Sequence, residues 1–303
     1  MKKVLVTGGG GFIGKEVCKL LLQNNYKVRS FDLIKNPNSK IESNFNGTIL
    51  DPTEISNAIK GCDYVIHLAA SLGVANTEKN RLECLHINIQ GTLNVLEACV
   101  KHKVKKIIFS SSSEVYGEQI KIPISEDSPL NPKSNYAISK LVGEEYMRAY
   151  SETYNLNYNI CRFFNVYGLN QKSQFVMSIF IDKVLNNKSI EIFGNGEQIR
   201  SFCNVEDAAD GVMKILKYKK NGKIFNIGND LEPISMNNLA KKIIKISKKN
   251  IKIKKIHFNK SDRNIKREIF NRVPDISKAK KELKYHPNIS LDKGLSKLLK
   301  IKK

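Results

Sequence analysis

Thr7-Gly-Gly-Gly-Gly-Phe-Ile-Gly14, directly behind the apolar run Val4-Leu5-Val6, spaces three glycines as Gly8-x-x-Gly11-x-x-Gly14. A strand must reverse tightly into a helix here. One glycine supplies a positive φ, one lets the backbone approach a pyrophosphate, and one lets the helix pack closely on the sheet. The phosphates would lie on the helix N-terminus beside Phe12 and Ile13, where free N–H groups favour anions. A helix-like segment with Val17, Leu20, Leu21 and Leu22 follows, then an apolar strand, Tyr26 to Phe31, that ends in Asp32. An acid about 20 residues past the turn suits the ribose hydroxyls of a dinucleotide. It would repel a 2′-phosphate and no arginine follows it, so NAD is favoured over NADP, with Lys35 nearby moderating the preference.

Apolar strand-like runs recur along the chain with helical stretches between them: Val4–Val6, Lys27–Phe31, Tyr64–His67, Lys106–Phe109, Tyr158–Phe163 and Ile224–Ile227. This alternation predicts an α/β fold with a doubly wound parallel sheet, and ligand beyond the C-terminal strand ends. Turn chemistry gathers at Gly168–Ser173 and Phe193–Glu197, where the chain is expected to leave the sheet. The expected division is a dinucleotide-binding part at 1–167 and 201–229, and a smaller discontinuous substrate lobe at 168–200 and 230–303.

With 303 residues, 41% of them hydrophobic, the chain can bury a full core. No apolar run approaches the roughly 20 residues that span a bilayer, and no signal-peptide pattern opens the chain, so no membrane association and a cytoplasmic location are expected. The six cysteines lack paired spacing, which argues against a metal site or disulfide framework and for reduced, buried thiols. Residues 214–303 carry 27 Lys and Arg against 7 Asp and Glu, leaving 24 against 22 for the rest. Lysines alternating with isoleucine in Ile251–Ile256 read as a half-exposed strand. Aromatic platforms are sparse there, so nucleic acid is not an expected partner.

Tyr136 and Lys140 stand four apart, on one face of a helix. A tyrosine is a poor base at its reference pKa of about 10, and a neighbouring ammonium together with a cationic nicotinamide would favour its phenolate. Ile107–Ser113 is a strand running into hydroxyls, which could bring Ser112 to the same substrate oxygen.

These features resemble the extended short-chain dehydrogenases/reductases of the NAD-dependent nucleotide-sugar epimerase/dehydratase family over nearly the whole chain. The likeness includes Asp51, where the family contacts adenine, and His67-Leu-Ala-Ala70, whose Leu68, Ala69 and Ala70 would line the cofactor. It continues through Asn88–Thr92, Ser112 before Val115-Tyr-Gly117, Phe164–Gly168, Arg200–Asp207 and Arg272–Lys278. The resemblance implies that Asn165 and Arg200 hold a sugar diphosphate, that Ser113 and Arg272 also touch substrate, and that Lys140 grips the nicotinamide ribose. Against those roles, His67 reads as closing a buried strand end, Asn88 as ordering helix packing, and Arg272 equally as a surface ion pair.

The same resemblance implies a reaction. Tyr136 takes the C4 hydroxyl proton while C4 gives hydride to NAD, leaving a 4-keto sugar. Dehydratases carry an adjacent acid pair where this chain has Ser113-Glu114, so 4,6-dehydration is disfavoured. Ser-Glu is similar to UDP-glucuronate decarboxylases, with Glu114 acting at C5 or serving as a structural carboxylate. Leu169–Ser173 nevertheless replaces the arginine-rich stretch of those enzymes, and Tyr136-Ala-Ile-Ser-Lys140 looks more like the epimerases. A UDP-sugar 4-epimerase is therefore expected first and a decarboxylase second. A non-catalytic dinucleotide-binding protein is disfavoured because Tyr136 and Lys140 are both kept. The family also implies a homodimer through Leu85–Lys101 and Ala137–Tyr154, where Leu141, Met147 and Tyr150 fit a dimer contact and an internal core equally well.

Overall fold

The computed structural model describes residues 1–72, 77, 79–257 and 268–301. The expected lobe segments at 258–267 and 302–303 lie outside the described residues.

Seven strands form one sheet: β1 (Lys3–Thr7), β2 (Lys27–Asp32), β3 (Ser43–Asn46), β4 (Tyr64–His67), β5 (Lys106–Ser112), β6 (Tyr158–Phe163) and β11 (Lys223–Ile227). Their order is β11-β6-β5-β4-β1-β2-β3 and every pairing is parallel. Both faces are covered, which is why the strands read as unbroken apolar runs. Val4 and Val6 face a core with Val17 and Leu21 of α1 (Phe12–Gln23) and Val212 and Ile215 of α6 (Val205–Lys217). Leu5 points the other way, into a core with α2 (Pro52–Ile59), α3 (Arg81–Lys101) and α4 (Asn135–Tyr154).

Strand β3 escaped the sequence reading. Ser-Asn-Phe-Asn carries one apolar residue because none of its four positions is buried, whereas Phe225 and Ile227 of β11 at the opposite edge are buried. The expected return to the sheet after residue 200 is α6 followed by β11.

Outside the sheet, α5 (Val176–Leu185), α7 (Met236–Ser247) and α8 (Leu291–Ile301) enclose a third apolar cluster with β8 (Ile190–Phe193). Beside it lie a parallel pair of β8 with β13 (Ile253–Ile256) and a three-stranded sheet, β12-β9-β14, of Pro233–Ser235, Ile199–Ser201 and Asn271–Arg272. β7 (Val166–Tyr167) and β10 (Cys203–Asn204) join the two parts. In β13 the isoleucines are half-buried and Lys254 and Lys255 are exposed, so the lysine-rich strand presents its charge to water.

For two of the helix residues open to either role, the structure selects the internal core. Met147, a candidate dimer contact, is 1% exposed and belongs to the second core, while Leu141 packs against Val115, Tyr116, Ile124 and Phe164. Among the described residues no helix is long and apolar enough to cross a membrane.

Candidate active site

The strand order reverses between β1 and β4, and crevices at such points are where open parallel sheets bind ligand. The glycine turn lies there. Gly8 has φ +72°, which a side chain rarely adopts, and a Cβ on Gly14 would come 2.0 Å from Gly8 O. Gly11 begins α1 without a side-chain cap, and no acid stands in the first turn. The first N–H groups of that helix are therefore suited to a phosphate. Asp32 closes β2 beside it, one carboxylate oxygen accepting the Gly10 N–H at 3.0 Å and the other the Ile34 N–H at 3.1 Å. Each oxygen keeps a lone pair for a ribose hydroxyl. These residues fit a dinucleotide.

Asp51 has a duty that the sequence reading missed. It caps α2, one carboxylate oxygen accepting the Thr53 and Glu54 N–H groups at 2.8 and 3.0 Å. The Asp-Pro-x-Glu start of a helix was the available signal.

Across the crevice, β5 ends in three buried serines and a short turn, and α4 begins at Ser134. Ser134 Oγ accepts the Ala137 N–H and donates to Glu114 Oε2, both at 3.1 Å. One hydroxyl thus ties the start of the helix carrying Tyr136 to the turn carrying Glu114. The nearby Ser112 hydroxyl favours the ionised form of the Tyr136 phenol. Burial of the phenol, followed by the negative charge on Glu114, outweighs this and holds the Tyr136 pKa above its ordinary value.

Lys140 lies one turn further along, 3% exposed. Its ammonium sits 5.0 Å from the Phe109 ring centre and 5.8 Å from that of Tyr136. Burial lowers its pKa to about 8. Arg272 Nη1 reaches Glu114 Oε1 at 3.6 Å, with side chains 14% and 21% exposed. It is therefore a mostly buried partner across the site, not a surface ion pair. Ser113 Oγ and Arg272 Nε are buried with no hydrogen-bond partner.

The fold thus brings Ser112, Ser113, Glu114, Tyr136, Lys140 and Arg272 together. Asn165 and Arg200 sit at the junction with the outer strands, and both are engaged. Asn165, with φ +39°, donates its amide to Ser201 O at 3.1 Å. Arg200 holds Glu268 at 2.9 Å and the carbonyls of Ile199 and Phe270.

The sequence reading overlooked a buried pair beneath the site. Arg162 and Glu144 are 2% and 1% exposed and meet in a fork of 2.9 and 2.6 Å. Ser111 donates to the same carboxylate at 2.5 Å, and Arg162 also reaches the Tyr116 hydroxyl at 2.9 Å. Glu144 stands four residues after Lys140, so the i, i+4 spacing that singled out Tyr136 and Lys140 continues to it.

Residues 4–228 match the model of the NAD dependent epimerase/dehydratase family. A putative UDP-glucose 4-epimerase of Methanocaldococcus jannaschii is 38% identical, over 98% of this chain and 97% of its own length. A UDP-N-acetyl-alpha-D-glucosaminuronate decarboxylase of Bacillus cytotoxicus is 34% identical over the same shares. Among solved structures, the UDP-glucuronic acid 4-epimerase of Bacillus cereus, in complex with UDP-glucuronic acid and NAD, superimposes with a TM-score of 0.90. It is 33% identical, over 99% of this chain and 100% of that one.

Proposed function

The chain belongs to the NAD-dependent epimerase/dehydratase family, and on that premise we propose that it is a UDP-sugar 4-epimerase working through a transient 4-keto intermediate. The observation that supports this reading is the buried Lys140 ammonium, 5.8 Å from the Tyr136 ring centre, on a helix whose start Ser134 ties to the turn after β5. Glu114 stands beside them already engaged by Ser134 and Arg272.

Gly8, Gly11, Phe12, Ile13 and Gly14 would hold the NAD pyrophosphate, with Asp32 on the ribose, Asp51 toward the adenine and Leu68–Ala70 as the wall. NAD supplies a reversible hydride acceptor for C4. Tyr136 would take the proton of the C4 hydroxyl and later return it, with Ser112 donating to the same oxygen. Lys140 would favour the phenolate by its charge and bind the nicotinamide ribose, and the Arg272 charge lowers the Tyr136 pKa in the same sense. Asn165 and Arg200 would hold the diphosphate, Arg200 exchanging Glu268 for phosphate oxygens, a substitution its planar fork suits. The outer cluster built by α5, α7 and α8 would be the nucleotide-sugar lobe, at 168–200 and 230–303. A homodimer remains a proposal from family resemblance.

A second reading, UDP-glucuronate decarboxylase, is favoured by one specific observation: Glu114 and Arg272 meet beside Tyr136. A guanidinium there would hold a C6 carboxylate, and Glu114 would serve the step at C5. Incubation with NAD and UDP-glucose, UDP-glucuronate or UDP-xylose, followed by proton NMR of the anomeric region, separates the two. Interconversion of C4 epimers without loss of carbon supports the epimerase, whereas a pentose formed from UDP-glucuronate would replace it with the decarboxylase.

A further inference from the structure

His67 closes β4 inside the protein, 1% exposed, and both ring nitrogens are engaged. Nδ1 lies 2.7 Å from Thr7 Oγ1, and Nε2 lies 3.1 Å from Thr92 Oγ1. The Thr92 hydroxyl spends its proton on Asn88 O at 2.6 Å. A hydroxyl has one proton to give, so toward His67 it can only accept. Nε2 must then carry the ring hydrogen. Burial, and secondarily the charge on Lys140, lowers the ring pKa to about 3, so the ring is neutral and Nδ1 is bare. That nitrogen accepts a hydrogen bond from the Thr7 hydroxyl, and Thr7 Oγ1 in turn accepts the Ala69 N–H at 3.3 Å. Each bond fixes the direction of the next, and the chain runs one way from Ala69 to Asn88.

Both ends of this chain act on one segment. Ala69 and Leu68 press against the glycine turn, since a Cβ on Gly8 would lie 2.8 Å from Ala69 N and 3.0 Å from Leu68 C. Asn88 Oδ1 accepts the Ser71 N–H at 2.7 Å, while Nδ2 donates to Ser71 O at 3.1 Å and to Ser139 Oγ at 2.9 Å. Ser139 precedes Lys140 in α4. The segment is thus pinned at Ala69 through His67 and at Ser71 through Asn88.

We propose that His67, as its Nε2–H tautomer, is a positioning residue that sets the Leu68–Leu72 wall of the cofactor site through this one-way chain. The proposal rests on reading the glycine turn and Asp32 as the NAD site.

The first test is 15N NMR of the full chain labelled at histidine, with the His67 signals identified from a His67→Gln variant. The expected result is a neutral Nε2–H ring that does not titrate between pH 5.5 and 9. An Nδ1–H ring, or titration in that range, overturns the proposal whatever the NAD affinity of the variants. The second test is NAD affinity, with Asp32→Ala as control. His67→Phe keeps a ring but removes both hydrogen bonds and should weaken NAD about tenfold, as loss of one or two buried hydrogen bonds does. His67→Gln, whose amide can still donate toward Thr92, should recover part of that loss. If Asp32→Ala weakens NAD and His67→Phe does not, the positioning role falls alone. If Asp32→Ala also leaves affinity unchanged, the cofactor-site reading falls and takes the proposal with it.

Discussion

Replacing Lys140 with methionine should make the protein more stable and nearly inactive. Burial lowers the ammonium from the usual 10.5 to about 8. At about 1.4 kcal/mol per pH unit, keeping that charge buried at neutral pH costs about 3 kcal/mol. The aromatic faces of Phe109 and Tyr136 offset about 1 kcal/mol of this, which leaves a net cost of about 2 kcal/mol. Methionine fills a similar unbranched volume without a charge. Urea unfolding at pH 7 should therefore show Lys140→Met more stable by about 2 kcal/mol. The folded pKa lies below the unfolded one, so between about 8 and 10.5 the unfolded chain binds a proton that the folded protein has released. The penalty is complete below pH 8 and fades as pH rises through that window, so the advantage of the variant should shrink toward pH 10.5. Meanwhile kcat should fall at least about a hundredfold, the usual scale for losing acid–base assistance. A variant less stable than the natural protein at pH 7, or a stability difference that ignores pH, would refute the reasoning.

Three further outcomes follow from the same geometry. Glu144→Ala strands Arg162 as a buried, unpaired cation and should cost about 3–5 kcal/mol in urea unfolding, with Glu144→Gln losing less; equal midpoints for all three proteins would show that the pair does not stabilise the fold. Gly14→Ala places a Cβ 2.0 Å from Gly8 O, so thermal melts and NAD titration should show a loss of about 2 kcal/mol or more in stability together with weaker cofactor binding. Glu114→Gln removes a charge that raises the Tyr136 pKa, so the acid limb of kcat against pH should move down by about one pH unit; movement in the opposite direction would exclude electrostatic contact between the two side chains.

Some of this molecule is written in short spans of sequence. The glycine turn is legible because only residues without a Cβ tolerate the Gly8 conformation and the approach of Gly14 to Gly8 O. Tyr136 and Lys140 are legible because helical periodicity aligns them whatever surrounds the helix. The six strands with buried residues show as apolar runs because a sheet covered on both faces demands them, whereas polar β3, with no buried residue, leaves no such mark. Asp51 shows the limit of local reading, since its capping role was encoded within three residues and still passed unseen beside the family expectation.

What the tertiary structure alone decided are contacts between residues far apart in the chain. Arg272 comes from the three-stranded outer sheet and meets Glu114 on the turn after β5, and neither local pattern names the other. Arg162 on β6 finds Glu144 on α4, and the His67 tautomer follows only once Thr7, Thr92 and Asn88 converge on it. Periodicity and backbone conformation are properties of neighbouring residues, so sequence alone fixes the α/β sheet, the dinucleotide turn and the Tyr-Lys pair. The protonation and pairing of the charged groups depend on which distant side chains burial brings within reach, and that only the folded chain determines.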